Sequence, residues 1–264
     1  MNAIRNFQNI PEEAFNVELK KMISVKNTKT IYRDGDKCIK VFTHGYTKGA
    51  IFNEALNQIR IEETGLKIPV ITEVKQVNGH WAIISEFIQG SLLSDLIKTN
   101  PDKADEYLSL FIDIQTNINT KKCSYLTNLR DKLTRNISLS DLDANTRYDL
   151  MLRLDDMQKN SFICHGDFYP SNIIIANDGT PYVLDWINST SGDPASDAAY
   201  TYLLFSMHGR EDLADGYLKM YCERTGTEVS YIRKWVPLMA VSQLFTANDR
   251  VKDFLMTYAD ITKY

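Results

Sequence analysis

Short β-prone runs separated by turn residues occupy the first third of the chain and predict a β-rich N-terminal region. Residues 17–42 indicate strands with an Asp-Gly turn between two of the runs. Residues 68–88 indicate two more strands joined by Asn78-Gly79, a dipeptide that favours a tight hairpin turn. Residues 49–63 place apolar side chains at helical spacing. The pattern therefore predicts a small sheet accompanied by one helix.

The rest of the chain has the apolar spacing of helices, apart from one hairpin. Residues 101–160 predict three helices, and residues 197–264 predict a further helical region with an interruption at Pro237. Between these regions the apolar runs Ile173–Ala176 and Tyr182–Leu184 flank an Asn-Asp-Gly-Thr sequence, which is a strong hairpin signal. The fold class predicted from the pattern is α+β.

The hairpin brings polar residues to its open end. If Asp178 and Gly179 form the centre of a type I′ turn, Asn172 lies directly opposite Asp185, with both side chains on one face. An amide oxygen and a carboxylate held in this way can share a hard cation such as Mg²⁺. Asp167, just before the first strand, is placed to orient or deprotonate a hydroxyl near that metal. Each residue alone would suit an ordinary surface hairpin, but together they would be costly without a cation.

The residues around this hairpin resemble the aminoglycoside phosphotransferase and choline kinase family. The matching residues are His165-Gly166-Asp167, Asn172, Asp185-Trp186, Gly192-Asp193-Pro194 and Asp197. The resemblance covers most of the chain and is strongest from 162 to 200. It implies a two-lobed protein-kinase-like fold with the site in the cleft between the lobes. Residues 1–88 would form a nucleotide-binding N-lobe, and residues 89–264 a C-lobe with the catalytic loop, metal site and acceptor site.

The resemblance also implies which residues bind the nucleotide. They are Lys40, Glu54, Asn27, Thr28, Glu86 and Ile88. Lys40 would hold the α- and β-phosphates, and Glu54, at the edge of the apolar face formed by Phe52, Ala55, Leu56 and Ile59, would brace it. A solvent-facing lysine and a surface glutamate are the alternatives. Asn27 and Thr28 belong to the predicted phosphate-covering loop, residues 26–29, and backbone groups of Glu86 and Ile88 would face the base.

In the second lobe, the resemblance assigns Asp167 as the catalytic residue, with Asn172 and Asp185 as ligands of Mg²⁺. His165 would be structural, hydrogen-bonding the loop that carries Asp167. Asp197 would start a core helix and brace the backbone of the same loop. A simple helix N-cap is the competing interpretation, and the two roles are compatible.

Composition limits the possible partners. The 264 residues are 44% hydrophobic and 24% charged, which is ordinary for a globular protein. A net charge of −4 and a pI of about 5.6 provide no basic surface for nucleic acid. No apolar run approaches the ~20 residues that span a bilayer, so we expect no membrane partner. The four cysteines are far apart in the sequence and the first residues are polar, so we expect reduced thiols and a cytoplasmic location.

The expected activity is transfer of the γ-phosphoryl group of ATP or GTP to a hydroxyl of a small molecule, with Mg²⁺ as cofactor. Only seven residues separate Asp185 from Asp193, which leaves no room for the activation segment of a protein kinase. Alternatives within the family are an aminoglycoside-resistance kinase proper and a kinase of choline-like amino alcohols, which aromatic faces would hold. The aromatic candidates are Phe168, Tyr169, Trp186, Tyr200 and Trp235. A nucleotide-binding module without turnover is the alternative from another class.

Overall fold

The computed structural model of the chain describes residues 19, 21–26, 29–42, 45–244 and 247–259. The protein is α+β, with a β-rich N-terminal region followed by a helical C-terminal region. Its described residues fall into two compact units. The first unit comprises residues 19–55 and 70–88, and the second comprises residues 56–69 and 89–259.

The described strands of the first unit form an antiparallel five-stranded sheet in the order β1-β2-β3-β5-β4. They are β1 (Lys21–Lys26), β2 (Lys29–Asp34), β3 (Lys37–Phe42), β4 (Ile71–Val77) and β5 (His80–Glu86). The predicted turn at Asn78-Gly79 is confirmed, since it joins β4 to β5. Both residues have positive φ, 51° and 78°, as a type I′ turn requires.

Alternation along β3 separates the two faces of this sheet. Ile39 is buried in an apolar cluster on one face, whereas Phe42 is buried with Ile51 of helix α1 (Lys48–Glu62) on the other. Side chains two residues apart on a strand share a face. Lys40 therefore lies on the face of the sheet that α1 covers.

Helix α1 buries a different face from the one that its apolar spacing predicts. Phe52, Leu56 and Ile59 remain 42%, 43% and 39% exposed. The buried positions are Ile51, Glu54, Ala55, Asn57, Gln58 and Ile61. Polar side chains tolerate this burial because they are hydrogen-bonded, as Gln58 is through its Nε2, which donates to the Pro69 carbonyl at 2.7 Å. Apolar periodicity cannot identify a buried face of this kind.

The second unit is built mainly from helices around one apolar core. They are α2 (Leu93–Thr99), α3 (Ala104–Ile118), α4 (Leu129–Leu139), α5 (Ala144–Asp156), α6 (Pro194–Met207), α7 (Glu211–Thr225), α8 (Val229–Gln243) and α9 (Asp249–Tyr258).

The three helices predicted within residues 101–160 are confirmed. The interruption predicted at Pro237 is wrong, because α8 continues through it. Packing of α8 against α6 outweighs the backbone hydrogen bond that proline removes. No described helix has the length and apolar character needed to cross a membrane.

Short strands in the second unit frame the residues of interest. Strands β6 (Gly90–Leu92), β8 (Ile173–Ala176) and β9 (Pro181–Val183) form one sheet, and β7 (Phe162–Cys164) pairs with β10 (Thr190–Gly192). The sequence pattern predicts the β8–β9 hairpin but not β6, β7 or β10. Three residues are too few to show a period.

The β8–β9 hairpin forms in a register that differs by one residue from the predicted one. Ile173 pairs with Val183. Asn172 therefore lies opposite Leu184, whose N–H donates to the Asn172 carbonyl at 2.8 Å. The prediction that Asp185 lies directly opposite Asn172 is wrong, because Asp185 comes one residue later.

A local hydrogen bond explains this register. The loop has three residues, 177–179, and is closed by the N–H of Ala176, which donates to the Thr180 carbonyl at 2.9 Å. Within the loop only Gly179 has a positive φ, 85°, so the turn is not type I′. Asp178 instead accepts a hydrogen bond on Oδ1 from the N–H of Thr180 at 2.9 Å. Such a side-chain bond mimics a backbone turn and favours the longer loop.

Candidate active site

Asp197 holds the backbone of the loop that contains His165, Gly166 and Asp167. Its carboxylate accepts hydrogen bonds from the N–H of His165 at 3.1 Å and from the N–H of Gly166 at 2.8 Å. The side chain is only 1% exposed and belongs to the first turn of α6. Two charge-assisted bonds thus compensate a buried charge and fix the loop to α6.

Asp193, and not Asp197, is the N-cap of α6. Its Oδ1 accepts from the N–H of Ala195 at 2.8 Å. Its Oδ2 accepts from the Asn160 amide at 2.9 Å and from the Tyr231 hydroxyl at 2.8 Å. Burial, together with the bond to Asp193, raises the pKa of Tyr231. The N-cap interpretation of Asp197 is therefore wrong.

Both ring nitrogens of His165 are engaged by backbone groups. Nδ1 accepts from the N–H of Asp167 at 3.2 Å, and Nε2 lies 2.9 Å from the carbonyl oxygen of Leu184. A backbone N–H only donates and a carbonyl only accepts, so the ring is the neutral Nε2–H tautomer. The ring is buried against Trp186, with 4.6 Å between ring centroids. Neither nitrogen is positioned to take a proton from a substrate.

Gly166 is required by the shape of the loop. Its φ is 74°, and a Cβ atom added to it would lie 2.6 Å from the carbonyl oxygen of Asn188. A side chain at this position would thus suffer both backbone strain and a clash with another backbone atom.

Asn172 fixes the position of Asp167. Its Nδ2 donates to the backbone carbonyl of Asp167 at 2.8 Å and to the carboxylate Oδ2 at 3.1 Å. Asn172 is 5% exposed, whereas Asp167 is only partly buried. Because the amide nitrogen is turned toward Asp167, the amide oxygen of Asn172 is directed away from it.

Asp185 follows β9 in an unusual backbone conformation. Its φ and ψ are 66° and 61°, in the left-handed region that residues other than glycine rarely adopt. The Asn172 amide oxygen and the Asp185 carboxylate are hard donors of the kind that Mg²⁺ takes. Across the described residues, no three His, Cys, Asp or Glu side chains form a metal-binding group. This donor pair fits Mg²⁺, an ion that completes its shell with water and phosphate oxygens.

In the first unit, Glu54 is an ion-pair partner of Lys40. The Lys40 ammonium lies 2.7 Å from Glu54 Oε1. A second lysine, Lys29, contacts the same carboxylate at 3.0 Å from Oε2. Glu54 is 1% exposed, so its interpretation as a surface glutamate is wrong.

Of the remaining residues predicted to bind the nucleotide, the structure describes Glu86 and Ile88. The N–H of Glu86 donates to the Val70 carbonyl at 2.9 Å, so a contact from Glu86 to a base would use its carbonyl oxygen. Ile88 ends the first unit and is 8% exposed. Asn27 and Thr28 lie outside the described residues, and Lys29 is the first residue of β2 rather than part of a loop.

The geometry thus groups the candidates within each unit. The first unit brings Lys40, Glu54 and Lys29 together. The second joins Asp167 to Asn172 and anchors the same loop on Asp197. A profile of the APH family, described as the phosphotransferase enzyme family, matches residues 32–232, which is more than half of the chain.

The chain belongs to the APH phosphotransferase enzyme family. It is a phosphotransferase enzyme, and the predicted protein-kinase-like fold is confirmed. No curated protein matches the sequence.

Solved structures agree with the APH fold. A thermostable mutant of aminoglycoside phosphotransferase APH(4)-Ia, in ternary complex with AMP-PNP and hygromycin B, is similar at a TM-score of 0.66 and 16% identity, over 90% of this chain and 89% of that one. Choline kinase LicA from Streptococcus pneumoniae is similar at a TM-score of 0.61 and 17% identity, over 93% of this chain and 96% of that one. A choline/ethanolamine kinase family protein from Mesorhizobium loti is similar at a TM-score of 0.57 and 17% identity, over 96% of this chain and 90% of that one.

A buried polar network supports the loop that contains His165, Gly166 and Asp167. The sequence pattern does not predict this network. The Thr201 hydroxyl donates to the Phe168 carbonyl at 3.1 Å and accepts from the Gln115 amide at 3.3 Å. The Tyr217 hydroxyl donates to the Gln115 amide oxygen at 2.6 Å. Burial raises the pKa of Tyr217 well above its ordinary value, so the phenol stays a donor. Three side chains distant in sequence thus fix the residue after Asp167.

The aromatic residues proposed to hold a choline-like substrate are mostly core residues. Phe168, Trp186 and Trp235 are fully buried, and Tyr200 is 6% exposed. Tyr169 is half-buried and stacks on His208, with 4.6 Å between ring centroids. Buried rings do not present a face to an ammonium group, so these residues as a set do not support the alternative of a choline-like substrate.

Proposed function

We propose that this APH-family enzyme transfers the γ-phosphoryl group of ATP or GTP to a hydroxyl of a small molecule in an Mg²⁺-dependent reaction. The observation that carries the proposal is the pairing of Asp167 with Asn172. The Asn172 amide donates to both the backbone and the carboxylate of Asp167, which holds that carboxylate in one orientation. A carboxylate oriented in this way suits the acceptor hydroxyl of a phosphoryl transfer.

Asp167 is the proposed catalytic residue. Its carboxylate would accept a hydrogen bond from the acceptor hydroxyl and take the proton as the new phosphate ester forms. Asp197 and the neutral His165 ring would act as structural supports, because their hydrogen bonds end on the loop backbone. Catalysis in this reaction depends mainly on positioning and charge neutralisation.

The first unit would bind the nucleotide. Lys40 would hold phosphate oxygens while its ion pair with Glu54 keeps the side chain extended. Asn27 and Thr28 would cover the phosphates, and backbone groups of Glu86 and Ile88 would contact the base. The solved structure of APH(4)-Ia with AMP-PNP supports a nucleotide donor, and backbone contacts to a base are compatible with ATP or GTP.

Asn172 and Asp185 would hold Mg²⁺ through the amide oxygen and the carboxylate. When bound, the ion would neutralise charge on the phosphate oxygens during transfer. The bonds from Asn172 Nδ2 to Asp167 turn the amide oxygen away from the base, which is the orientation that a ligand role requires.

The acceptor would be a compact molecule with a free hydroxyl. The hygromycin B complex of APH(4)-Ia and the name of the choline kinase LicA support acceptors of this size. A choline-like amino alcohol has less support from this chain, since the aromatic residues that would hold it are buried in the core.

The test is release of ADP or GDP by the purified protein with Mg²⁺ and a panel of acceptors. The panel would contain aminoglycosides, choline, ethanolamine, sugars and nucleosides, with Asp167→Asn as the matched control. We expect one acceptor class to stimulate release by the wild-type protein and not by the variant. Equal stimulation of both proteins, or of neither across a wide panel, would contradict the proposal.

A further inference from the structure

One buried carboxylate in the first unit binds two ammonium groups. Lys40 approaches Glu54 Oε1 at 2.7 Å. Lys29 approaches the other oxygen, Oε2, at 3.0 Å and also contacts Oε1 at 3.3 Å. The two lysines therefore fix both the position and the plane of the Glu54 carboxylate.

Strand register explains why Lys29 reaches this carboxylate. In the β2–β3 pair, Lys29 lies opposite Phe42 and Ile31 lies opposite Lys40. Paired residues share a face, and Phe42 is two residues after Lys40. Lys29 and Lys40 therefore project from the same face of the sheet, toward the helix that carries Glu54.

The surroundings of Lys29 are those of a built site. Its ammonium lies 5.5 Å from the ring centroids of both Phe42 and Tyr46, which is within the range of cation–π attraction. The side chain is 9% exposed, compared with 19% for Lys40. A buried ammonium is costly unless it is paired, so the position is unlike that of an ordinary surface lysine.

We propose that Lys29 is a positioning residue for the nucleotide phosphates, acting through Glu54. The inference rests on the proposed function, in which Lys40 binds phosphate oxygens. When Lys40 shares its three N–H donors with phosphate, Glu54 loses part of the attraction that compensates its buried charge. Lys29 keeps the carboxylate in place from the opposite oxygen, so Lys40 stays extended toward the phosphates.

The first test compares Lys29→Met, which keeps the length of the side chain and removes its charge, with Lys29→Arg. For Lys29→Met we expect kcat/KM for the nucleotide to fall about tenfold or more, with weaker binding of AMP-PNP by calorimetry and an unchanged KM for the acceptor. Lys29→Arg should recover most of the loss. The control is Lys48→Met, because the exposed Lys48 ammonium also lies over two rings, those of Phe52 and Trp81, at 5.6 and 5.1 Å.

The second test separates positioning from a merely structural role. In a Glu54→Gln background, Lys29→Met should have little further effect on kcat/KM, since Lys29 acts through that carboxylate. An equal fold-loss in both backgrounds would overturn the proposal, as would wild-type kinetics of Lys29→Met. Should Lys29→Met fail to fold in thermal unfolding, Lys29→Gln replaces it in the same cycle.

Lys40→Met distinguishes failure of this inference from failure of the proposed function. Wild-type turnover of Lys40→Met would contradict the proposed role of Lys40 and the inference with it. Loss of turnover in Lys40→Met, with wild-type kinetics in Lys29→Met, would overturn the role of Lys29 alone.

Discussion

Single residues in the loop from His165 to Asn172 are held by contacts to particular atoms, so conservative substitutions can separate charge from shape. The Asp167 carboxylate receives one bond from Asn172, and the loop backbone receives its support from Asp197. An amide in place of the carboxylate would keep the size of the side chain and remove its basicity.

Asp167→Asn should lower kcat by ~10²–10⁴-fold with little change in the KM for the nucleotide, since a positioned base commonly contributes that factor. Steady-state kinetics with the identified acceptor would measure it. Asp102→Asn, at an exposed position, is the control and should behave as wild type. A kcat within twofold of wild type for Asp167→Asn would contradict the role of base.

Asp185→Asn tests the metal assignment, because asparagine tolerates the left-handed backbone of this position better than other residues do. Loss of a carboxylate ligand should shift the Mg²⁺ concentration for half-maximal activity upward by about tenfold or more. A titration of activity against Mg²⁺ measures the shift. An unchanged midpoint, with wild-type activity, would remove Asp185 from the metal site.

Gly166→Ala and Gly209→Ala form a matched pair, since both glycines have positive φ, 74° and 65°. A Cβ at Gly209 meets no atom within 4 Å, whereas at Gly166 it would meet the Asn188 carbonyl at 2.6 Å. We expect Gly209→Ala to cost about 1 kcal/mol in the free energy of unfolding, and Gly166→Ala about 3 kcal/mol or more. Urea unfolding compares them. Equal losses would show that the loop relaxes around the added methyl group.

At the scale of secondary-structure elements, the sequence predicted those features that depend on strong local signals. The Asn78-Gly79 turn and the three helices within residues 101–160 were predicted because their signals are contained in a few adjacent residues or one long period. The register of the β8–β9 hairpin was not, since the Asp178 side chain selects a three-residue loop through a hydrogen bond. Composition of the loop alone does not distinguish two residues from three.

Some residues of the candidate site could likewise be predicted from local sequence signals, and others could not. Asp167, Asn172 and Asp185 stand out because their spacing follows the hairpin. Lys29 was assigned to the predicted phosphate-covering loop, and its contact with Glu54 was missed because that contact depends on strand pairing and on a carboxylate 25 residues away. The buried face of α1 was missed because a charged residue, Glu54, lies in it, which apolar spacing does not predict.

The network that joins α3, α6 and α7 beneath the loop gives a prediction for these elements. Thr201→Val keeps the shape of the side chain but leaves the Phe168 carbonyl and the Gln115 amide each without this partner. We expect a loss of about 1–3 kcal/mol in the free energy of unfolding by urea denaturation.

The control for that network is Thr116→Val. The Thr116 hydroxyl donates to the Asp113 carbonyl near the surface of α3. We expect its loss to change the free energy of unfolding by less than about 0.5 kcal/mol. Similar losses in the two variants would argue that the buried network is not coupled to stability.

At the scale of the whole molecule, the short connection after Asp185 limits the acceptor. The chain passes from Asp185 through a turn of 3₁₀-helix and strand β10 to α6, which begins at Pro194. A protein substrate would need an activation segment in this place to lie beside Asp167, the proposed catalytic residue. The connection is too short for such a segment.

We therefore expect phosphorylation of a small molecule and none of protein. Incubation with γ-labelled nucleotide, a protein mixture and a metabolite mixture would decide this, with Asp167→Asn as the control for non-enzymatic transfer. Label found mainly on protein side chains in the wild-type sample, and absent from small molecules, would contradict the prediction.

The first unit is built from two separate stretches of chain, and the intervening residues 56–69 are counted with the second. Ile61 and Ile68, both in this stretch, are buried in the apolar core of the second unit. If a gene exchanged its first 88 codons with a relative, the residues at positions 61 and 68 would come from that relative. They would then have to pack against helices of the second unit with which they had not evolved. Recombination that preserves packing has to cross over at residues 55, 69 and 88 together, so we expect the two units to diverge by point substitution rather than by exchange of segments.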